Sequence, residues 1–173
     1  VANILEQIVR VIVILGGSDF TLHYLMHCSR ISISDTIFYH YSIDNESTMR
    51  SNADKKVLQY IEAMNITSKY IEKQHENVQL AFNDYILMHL NIACVRGIFC
   101  VNNKENYVKK IEHIKKIINT PVFKDAIKKF HIKNNFSART LPVFFMKYKL
   151  VHIASIIYIV RAYQNYIYEK SRN

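Results

Sequence analysis

Apolar side chains recur at helical spacing through the last two thirds of this 173-residue chain. In residues 54–74, Val57, Ile61, Met64 and Ile71 fall on one face of a helix, and Lys and Glu side chains fall on the other. A β-strand, whose side chains repeat with a period of two, does not produce this spacing. The pattern therefore predicts amphipathic helices that bury their apolar faces against one another.

Four further segments carry the same signature. Residues 76–99 are apolar on more than one face, which predicts a helix at the centre of a bundle. In the next segment the inward side chains are predicted to be Tyr107, Ile111, Ile114 and Ile118, and the outward ones Lys109, Lys110, Lys115 and Lys116. A short helix over about 122–130 and a long one over about 141–169 complete the chain. Because only three glycines and two prolines interrupt it, we predict a mainly α fold with a bundle of four or five helices.

Residues 1–52 differ from the rest of the chain in charge. They hold three basic and five acidic side chains, whereas residues 53–173 hold twenty and nine. The formal charge thus changes from −2 to +11. We interpret this shift as a boundary between an N-terminal segment, 1–50, and a C-terminal helical domain, 51–173.

The N-terminal segment is predicted to contain a short helix and a small pair of β-strands. Residues 3–15 fit either a helix or, from Val9 onward, a β-rich segment, and two glycines interrupt the chain after them. Ser18 is a good N-cap for a helix over 19–28. The stretches ISIS, 31–34, and TIFYHY, 36–41, alternate with a period of two, which predicts the strand pair.

Neither a disulfide framework nor a protein-bound metal is predicted. The cysteines, Cys28, Cys94 and Cys100, are odd in number and widely spaced, as is typical of a reducing cytoplasm. His23 and His27 share a helical face, but no nearby acid or third ligand completes a metal site. The first residues lack the pattern of a secretory leader, and the longest apolar runs are too short to cross a bilayer. We therefore expect a cytoplasmic protein.

The sequence contains no motif of a self-sufficient enzyme. It has no phosphate-binding loop, dinucleotide fingerprint, zinc-protease motif or nucleophile elbow, and no Asp-x-Asp pair to hold a divalent metal on a diphosphate. It also has no internal repeat and no heptad array. Any catalytic role must therefore depend on groups outside these motifs.

Two basic stretches each allow more than one interpretation. Residues 104–149 hold twelve basic and three acidic side chains. The interpretation that this balance favours most is a helix face exposed to water, and the next is a surface that contacts anionic lipid. Binding to nucleic acid is favoured least, since no nucleic-acid-binding motif is present. The tail, 141–170, combines basic side chains with Phe and Tyr, which fits a helix at a membrane interface or a bundle core with an oligomer contact.

The stretch GGSDFTLHYLMHCSRISISDTIFYHYSIDNESTMR, residues 16–50, resembles the C-terminal end of the catalytic domain in bacterial family-two, GT-A-type glycosyltransferases. There a pattern close to G-E-D-x-x-F/L-x-x-x-x-L-x-x-C/A precedes two short strands, Y-x-Y-R and a Ser-bearing turn. The matching residues are Gly17, Ser18, Asp19, Phe20, Leu22, Leu25, Cys28, Ile31, Ile33, Phe38, Tyr39, Tyr41, Ser47 and Met49. The tail FFMKYKLVHIASIIYIVRAYQ is similar to the helix that ends many such enzymes.

The resemblance implies that residues 1–50 end a GT-A α/β core and that Asp19 is the general base. A carboxylate suits this task because it can take the proton of the attacking acceptor hydroxyl. Two positions depart from the pattern: Ser18 stands where Glu is usual, and Ser42 where Arg is usual. Arg50 supplies a nearby charge, and His40 and Arg50 are the expected substrate contacts. Asp19 equally fits the first turn of a helix, where its charge suits the helix dipole.

The resemblance also implies what the parent enzyme contains. Its donor-binding half would hold the nucleotide-sugar with an Asp-x-Asp motif and a divalent metal, Mg or Mn, neither of which this chain supplies. The implied reaction is inverting sugar transfer to a cell-surface glycan acceptor at the inner face of a bacterial membrane, with this part inactive alone. The alternative is a non-catalytic helical module that docks on a membrane or assembles with itself or a partner.

Overall fold

The computed structural model describes residues 27–30, 32, 53–132 and 137–171. Of these residues 73% are helical and none lies in a strand, so the prediction of a mainly α fold is confirmed. The predicted strand pair lies outside the described residues, apart from the isolated Ser32. Of the helix predicted for 19–28, only His27 and Cys28 are described, and neither is helical.

Six α-helices and one π-helical segment make up this part of the chain. They are α1 (Ala53–Ile71), α2 (Glu76–Ile92), the π-helical segment (Ala93–Ile98), α3 (Tyr107–Ile118), α4 (Pro121–Lys129), α5 (Leu141–Lys147) and α6 (Val151–Lys170).

The helix α2 lies at the centre of the bundle, as its apolar character predicts. It packs against α1 and α4, and the π-helical segment that continues it packs against α1, α3 and α6. Leu90 and Cys94 are completely buried along this axis, and Tyr85 is nearly so. Burying a side chain of Leu size contributes about 1.5–3 kcal/mol, so this row of residues anchors the core.

The inward face of α3 differs in part from the predicted one. Ile111 and Ile114 are buried as predicted, but Ile117 is buried in place of the only partly buried Ile118. The prediction for Tyr107 is wrong, because this side chain is 43% exposed. A spacing of three residues from Ile114 keeps Ile117 on the buried stripe, and Tyr107 lies at the edge of that stripe.

The long C-terminal helix predicted for 141–169 is instead two helices, α5 and α6. Lys149 between them has a φ of 62°. The amide of Leu150 donates to the Phe145 carbonyl and that of Lys149 to the Met146 carbonyl, both at 2.9 Å. These two bonds form a Schellman motif, which ends α5. The prediction missed this break because lysine, unlike glycine, does not signal a helix end.

One face of α6 is packed into the bundle and the other is exposed. Val151, Ala154, Ser155, Tyr158 and Ala162 are buried. None of the described helices is long and apolar enough to span a membrane.

Candidate functional site

A cleft of about 310 Å³ opens where the loop after the π-helical segment meets α3 and α6. Its lining residues include the aromatic Phe99, Tyr107 and Tyr163 and the charged Glu105 and Lys110. Sites that bind small ligands are typically lined by apolar and aromatic side chains together with a few polar groups. We therefore take this cleft as the candidate functional site.

The loop on one side of the cleft is held in place by Asn103. Its side-chain amide donates to the carbonyls of Ile98 at 3.0 Å and Gly97 at 3.4 Å, at the end of the π-helical segment. Its side-chain oxygen accepts from the amide of Glu105 at 2.9 Å, and its backbone carbonyl accepts from Lys110 Nζ at 2.8 Å. Asn103 thus fixes the positions of both charged groups in the cleft.

The carboxylate of Glu105 is further oriented by His113 on α3. The His113 Nε2 lies 3.3 Å from Oε1 and 3.2 Å from Oε2 of Glu105. Both side chains are partly exposed, so the pair adds little to stability. Its effect is to hold a carboxylate at the cleft, where an ionised carboxylate accepts hydrogen bonds from hydroxyl groups.

The hydroxyl of Tyr107 joins α3 to α6 through a small hydrogen-bonded cycle. It lies 3.0 Å from His152 Nδ1 and 2.8 Å from Ser155 Oγ, and Ser155 Oγ donates to the His152 carbonyl at 2.7 Å. Because Ser155 gives its only proton to that carbonyl, Tyr107 donates to Ser155 and His152 Nδ1 donates to Tyr107. This is not the arrangement of a nucleophilic serine with a histidine base.

A buried polar cluster lies behind the cleft. The Tyr158 hydroxyl donates to Asn91 Oδ1 at 2.8 Å, and Asn91 Nδ2 donates to the Arg139 carbonyl at 3.0 Å. Tyr158 also shares a hydrogen bond with Cys94, and burial raises the pKa of both groups. The ring of Tyr158 stacks on Phe99 with centroids 6.2 Å apart, which connects this cluster to the cleft wall.

The π-helical segment places residues of both the cleft and the cluster. Its widened turn is closed by the Phe99 amide, which donates to the Cys94 carbonyl at 2.8 Å. Short π-helical turns inside α-helices frequently occur at functional sites. Here the turn places Cys94 in the core and Phe99 in the cleft.

A second cleft, of about 390 Å³, lies beside the end of α1. Its lining residues are His27, Lys69, Tyr70, Lys73 and Gln74. It is basic and contains no carboxylate among these residues. We therefore regard it as a weaker candidate than the first cleft.

Most of the site residues that the sequence predicts lie outside the described residues. Asp19, His40 and Arg50 lie outside the described residues, as does His23. His27 is described and lines the second cleft. Among the described residues no group of three or more metal-ligating side chains comes together.

The groups of the first cleft were missed by sequence reasoning. Tyr107 and Tyr163 are 56 positions apart, and nothing in their spacing indicates that they share a wall. The sequence does contain a local helix-start signal beside the cleft, because Asn103 and Asn106 flank Glu105. Asn106 caps α3 by accepting a hydrogen bond from the Lys109 amide at 2.9 Å. That signal predicts where α3 begins but not which helix lies opposite.

Comparison with known proteins yields no match to any protein-family model, curated protein or solved structure.

Proposed function

We propose that this chain is the C-terminal part of an inverting glycosyltransferase whose helical domain holds the glycan acceptor. The observation that carries the catalytic part is the GGSDF stretch with the two predicted strands after it, residues 16–50. The observation that supports the acceptor role is the aromatic and acidic cleft beside α6. The two parts of the proposal thus rest on different residues.

In this proposal Asp19 is the general base. Its carboxylate takes the proton of an acceptor hydroxyl as that oxygen bonds to the anomeric carbon, and the bond from that carbon to the nucleoside diphosphate breaks. His40 and Arg50 contact the substrates. The divalent metal of the donor site would be held by an Asp-x-Asp motif that these 173 residues do not contain.

The chemistry of the cleft suits a sugar. Aromatic faces such as those of Tyr107 and Tyr163 pack against the apolar C–H faces of sugar rings and supply large contact areas. Glu105 accepts hydrogen bonds from sugar hydroxyls, and Lys110 donates them. We expect transfer to take place at the cytoplasmic face of the membrane, where nucleotide-sugar donors are present.

Replacing the cleft carboxylate tests the acceptor role on the chain as it stands. Glu105→Gln should weaken binding of the cognate cell-surface oligosaccharide about 5- to 10-fold, because a hydrogen bond to the neutral amide oxygen is worth about 1 kcal/mol less than one to a carboxylate. Glu112→Gln, which changes an exposed acid on the neighbouring helix α3, is the matched control. Oligosaccharide titrations followed by NMR measure both, and equal affinity for wild type and Glu105→Gln would exclude the cleft as the acceptor site.

A second candidate function is docking on an anionic membrane. The observation that favours it is the exposed lysines of α3 and α4, which include Lys109, Lys115, Lys116, Lys124 and Lys128. Lysines near an anionic surface each contribute about 1 kcal/mol of attraction. The double variant Lys115→Glu with Lys116→Glu should then lose flotation with phosphatidylglycerol vesicles, and absence of flotation by the wild type at low salt would exclude this function.

A further inference from the structure

The outer face of α6 carries a stripe of apolar side chains that no described part of the chain covers. Its members are Ile153, Ile156, Val160, Tyr163 and Ile167, which are 42%, 59%, 51%, 57% and 51% exposed. They are spaced alternately by three and four residues, the spacing of the a and d positions of a coiled coil. The stripe spans about two heptads, which is too short to register as a heptad array in the sequence.

The stripe is also free of charge. Between residues 151 and 168 the only charged side chain of α6 is Arg161, and its Nη1 donates to the Ala138 carbonyl at 3.2 Å. A helix that faces water carries charged or polar groups opposite its buried face. The stripe therefore has the composition of a helix–helix contact, on a face that the described part of the chain leaves open.

We propose that a second copy of this chain covers the stripe, by pairing of α6 with α6 about a two-fold axis. Such an interface uses the same patch on both copies, so the patch must complement itself. An uncharged stripe does this without placing like charges together. The a positions, Ile153, Val160 and Ile167, are β-branched apolar residues, as is common in coiled-coil seams.

The exposed area is sufficient for a dimer. With the flanking Ile159 and Tyr166, which are 41% and 39% exposed, the surface comprises seven large side chains. A half-exposed large side chain leaves on the order of 100 Å². The seven therefore offer roughly 700 Å² per copy, close to the ~800 Å² per partner of a standard stable interface.

A lipid surface fits the stripe less well than a second copy does. Helices that lie in a membrane interface carry Trp, Phe and Leu on the apolar face and Lys or Arg on the opposite one. The stripe holds Ile, Val and Tyr only, and the opposite face of α6, with Ala154 and Tyr158, is packed into the bundle. The spacing and the residue types of the stripe both favour another helix, rather than a lipid surface, as its partner.

Sedimentation equilibrium over a range of micromolar concentrations tests the pairing. The wild-type chain should be a dimer, and Ile156→Glu and Val160→Glu should each weaken the dimer at least about 30-fold, as expected for central interface residues. Val108→Glu, at a 64% exposed apolar position on α3, should leave it intact. Circular dichroism checks that each variant keeps its helices.

Cross-linking gives an independent test if a glutamate variant does not fold. Val160 is the middle residue of the stripe, so in the dimer Val160→Cys should form a disulfide between copies, in a chain with Cys28 and Cys100 replaced by Ser. Val108→Cys should not. A monomeric wild type, a dimer that survives both glutamate substitutions, or a monomer that binds vesicles through the stripe would each overturn the proposal. Ile159 and Tyr163 line the cleft as well, but Ile156 and Val160 do not, so their glutamate variants test the pairing without changing the acceptor site.

Discussion

Lys149 is the only non-glycine residue among those described with a positive φ, and it connects α5 to α6. The left-handed conformation costs an L-residue about 1–2 kcal/mol, and glycine adopts it without that cost. The two hydrogen bonds of the Schellman motif, together with burial of Val143, Met146 and Val151 on either side, hold the residue there.

Replacing Lys149 with glycine should therefore stabilise the protein. We expect Lys149→Gly to raise the free energy of unfolding by about 0.5–1 kcal/mol, because the relief of strain exceeds the added entropy of the unfolded chain. Urea denaturation measures the change. Lys115→Gly, at an exposed position inside α3, is the control with the opposite sign, with an expected loss of about 1 kcal/mol. Destabilisation by Lys149→Gly would contradict the left-handed assignment.

His89 makes the stability of the core depend on pH. Burial lowers the pKa of this imidazole below its ordinary value of 6.5, although the hydrogen bond from Nδ1 to the Tyr85 carbonyl, at 3.1 Å, raises it. The folded state therefore favours neutral His89 and the unfolded state binds the proton more tightly. The contribution of His89 to stability is complete above pH 6.5 and is lost as the pH falls from there through the folded-state pKa.

The variant His89→Asn isolates this effect. Its amide N–H lies near the position of Nδ1–H and does not titrate, so the drop in unfolding free energy below pH 6.5 should be smaller than in the wild type. Urea denaturation between pH 5 and 7.5 measures both slopes. Parallel curves for the two proteins would show that His89 does not cause the dependence.

Among the helices, α2 should show the largest difference in the cost of truncating a side chain on its buried face and on its exposed face. Leu90 is completely buried and Leu80 is 51% exposed on the same helix. Leu90→Ala should lower the free energy of unfolding by about 2–5 kcal/mol, the cost of a buried Leu with the cavity it leaves. Leu80→Ala should change it by less than about 0.5 kcal/mol. Since both replacements have the same helix propensity, urea denaturation of the pair reports packing alone, and equal losses would contradict the central position of α2.

The helices themselves were largely predictable from the sequence, and their interruptions were not. Ile111 and Ile114 lie on the buried stripe that their spacing predicts, and Pro121 begins α4 one residue before the predicted start. The break at Lys149 carries no glycine or proline signal, and Gly97, near the end of the π-helical segment, indicates a helix end but not a π-helical turn. Both depend on tertiary contacts, such as those of Cys94 with Tyr158.

At the scale of the whole molecule, the candidate site was not predictable because distant segments build it. Glu105 and Lys110 precede Tyr163 by more than fifty positions, and only the packing of α3 on α6 brings them to one cleft. The exposed stripe of α6 is readable in the sequence only once the buried face is known. Asp19, His40 and Arg50 lie outside the described residues and stay predictions.

Sugar transfer tests the proposal that this chain carries the general base of a glycosyltransferase. The measurement is release of nucleoside diphosphate from a panel of nucleotide-sugars, with the reading frame expressed together with its upstream coding sequence. Asp19→Asn should lower kcat about 10²- to 10⁴-fold, the usual contribution of a general base. Asp35→Asn, an acid within the same segment, should keep the wild-type rate. Transfer by Asp19→Asn at the wild-type rate would contradict the claim.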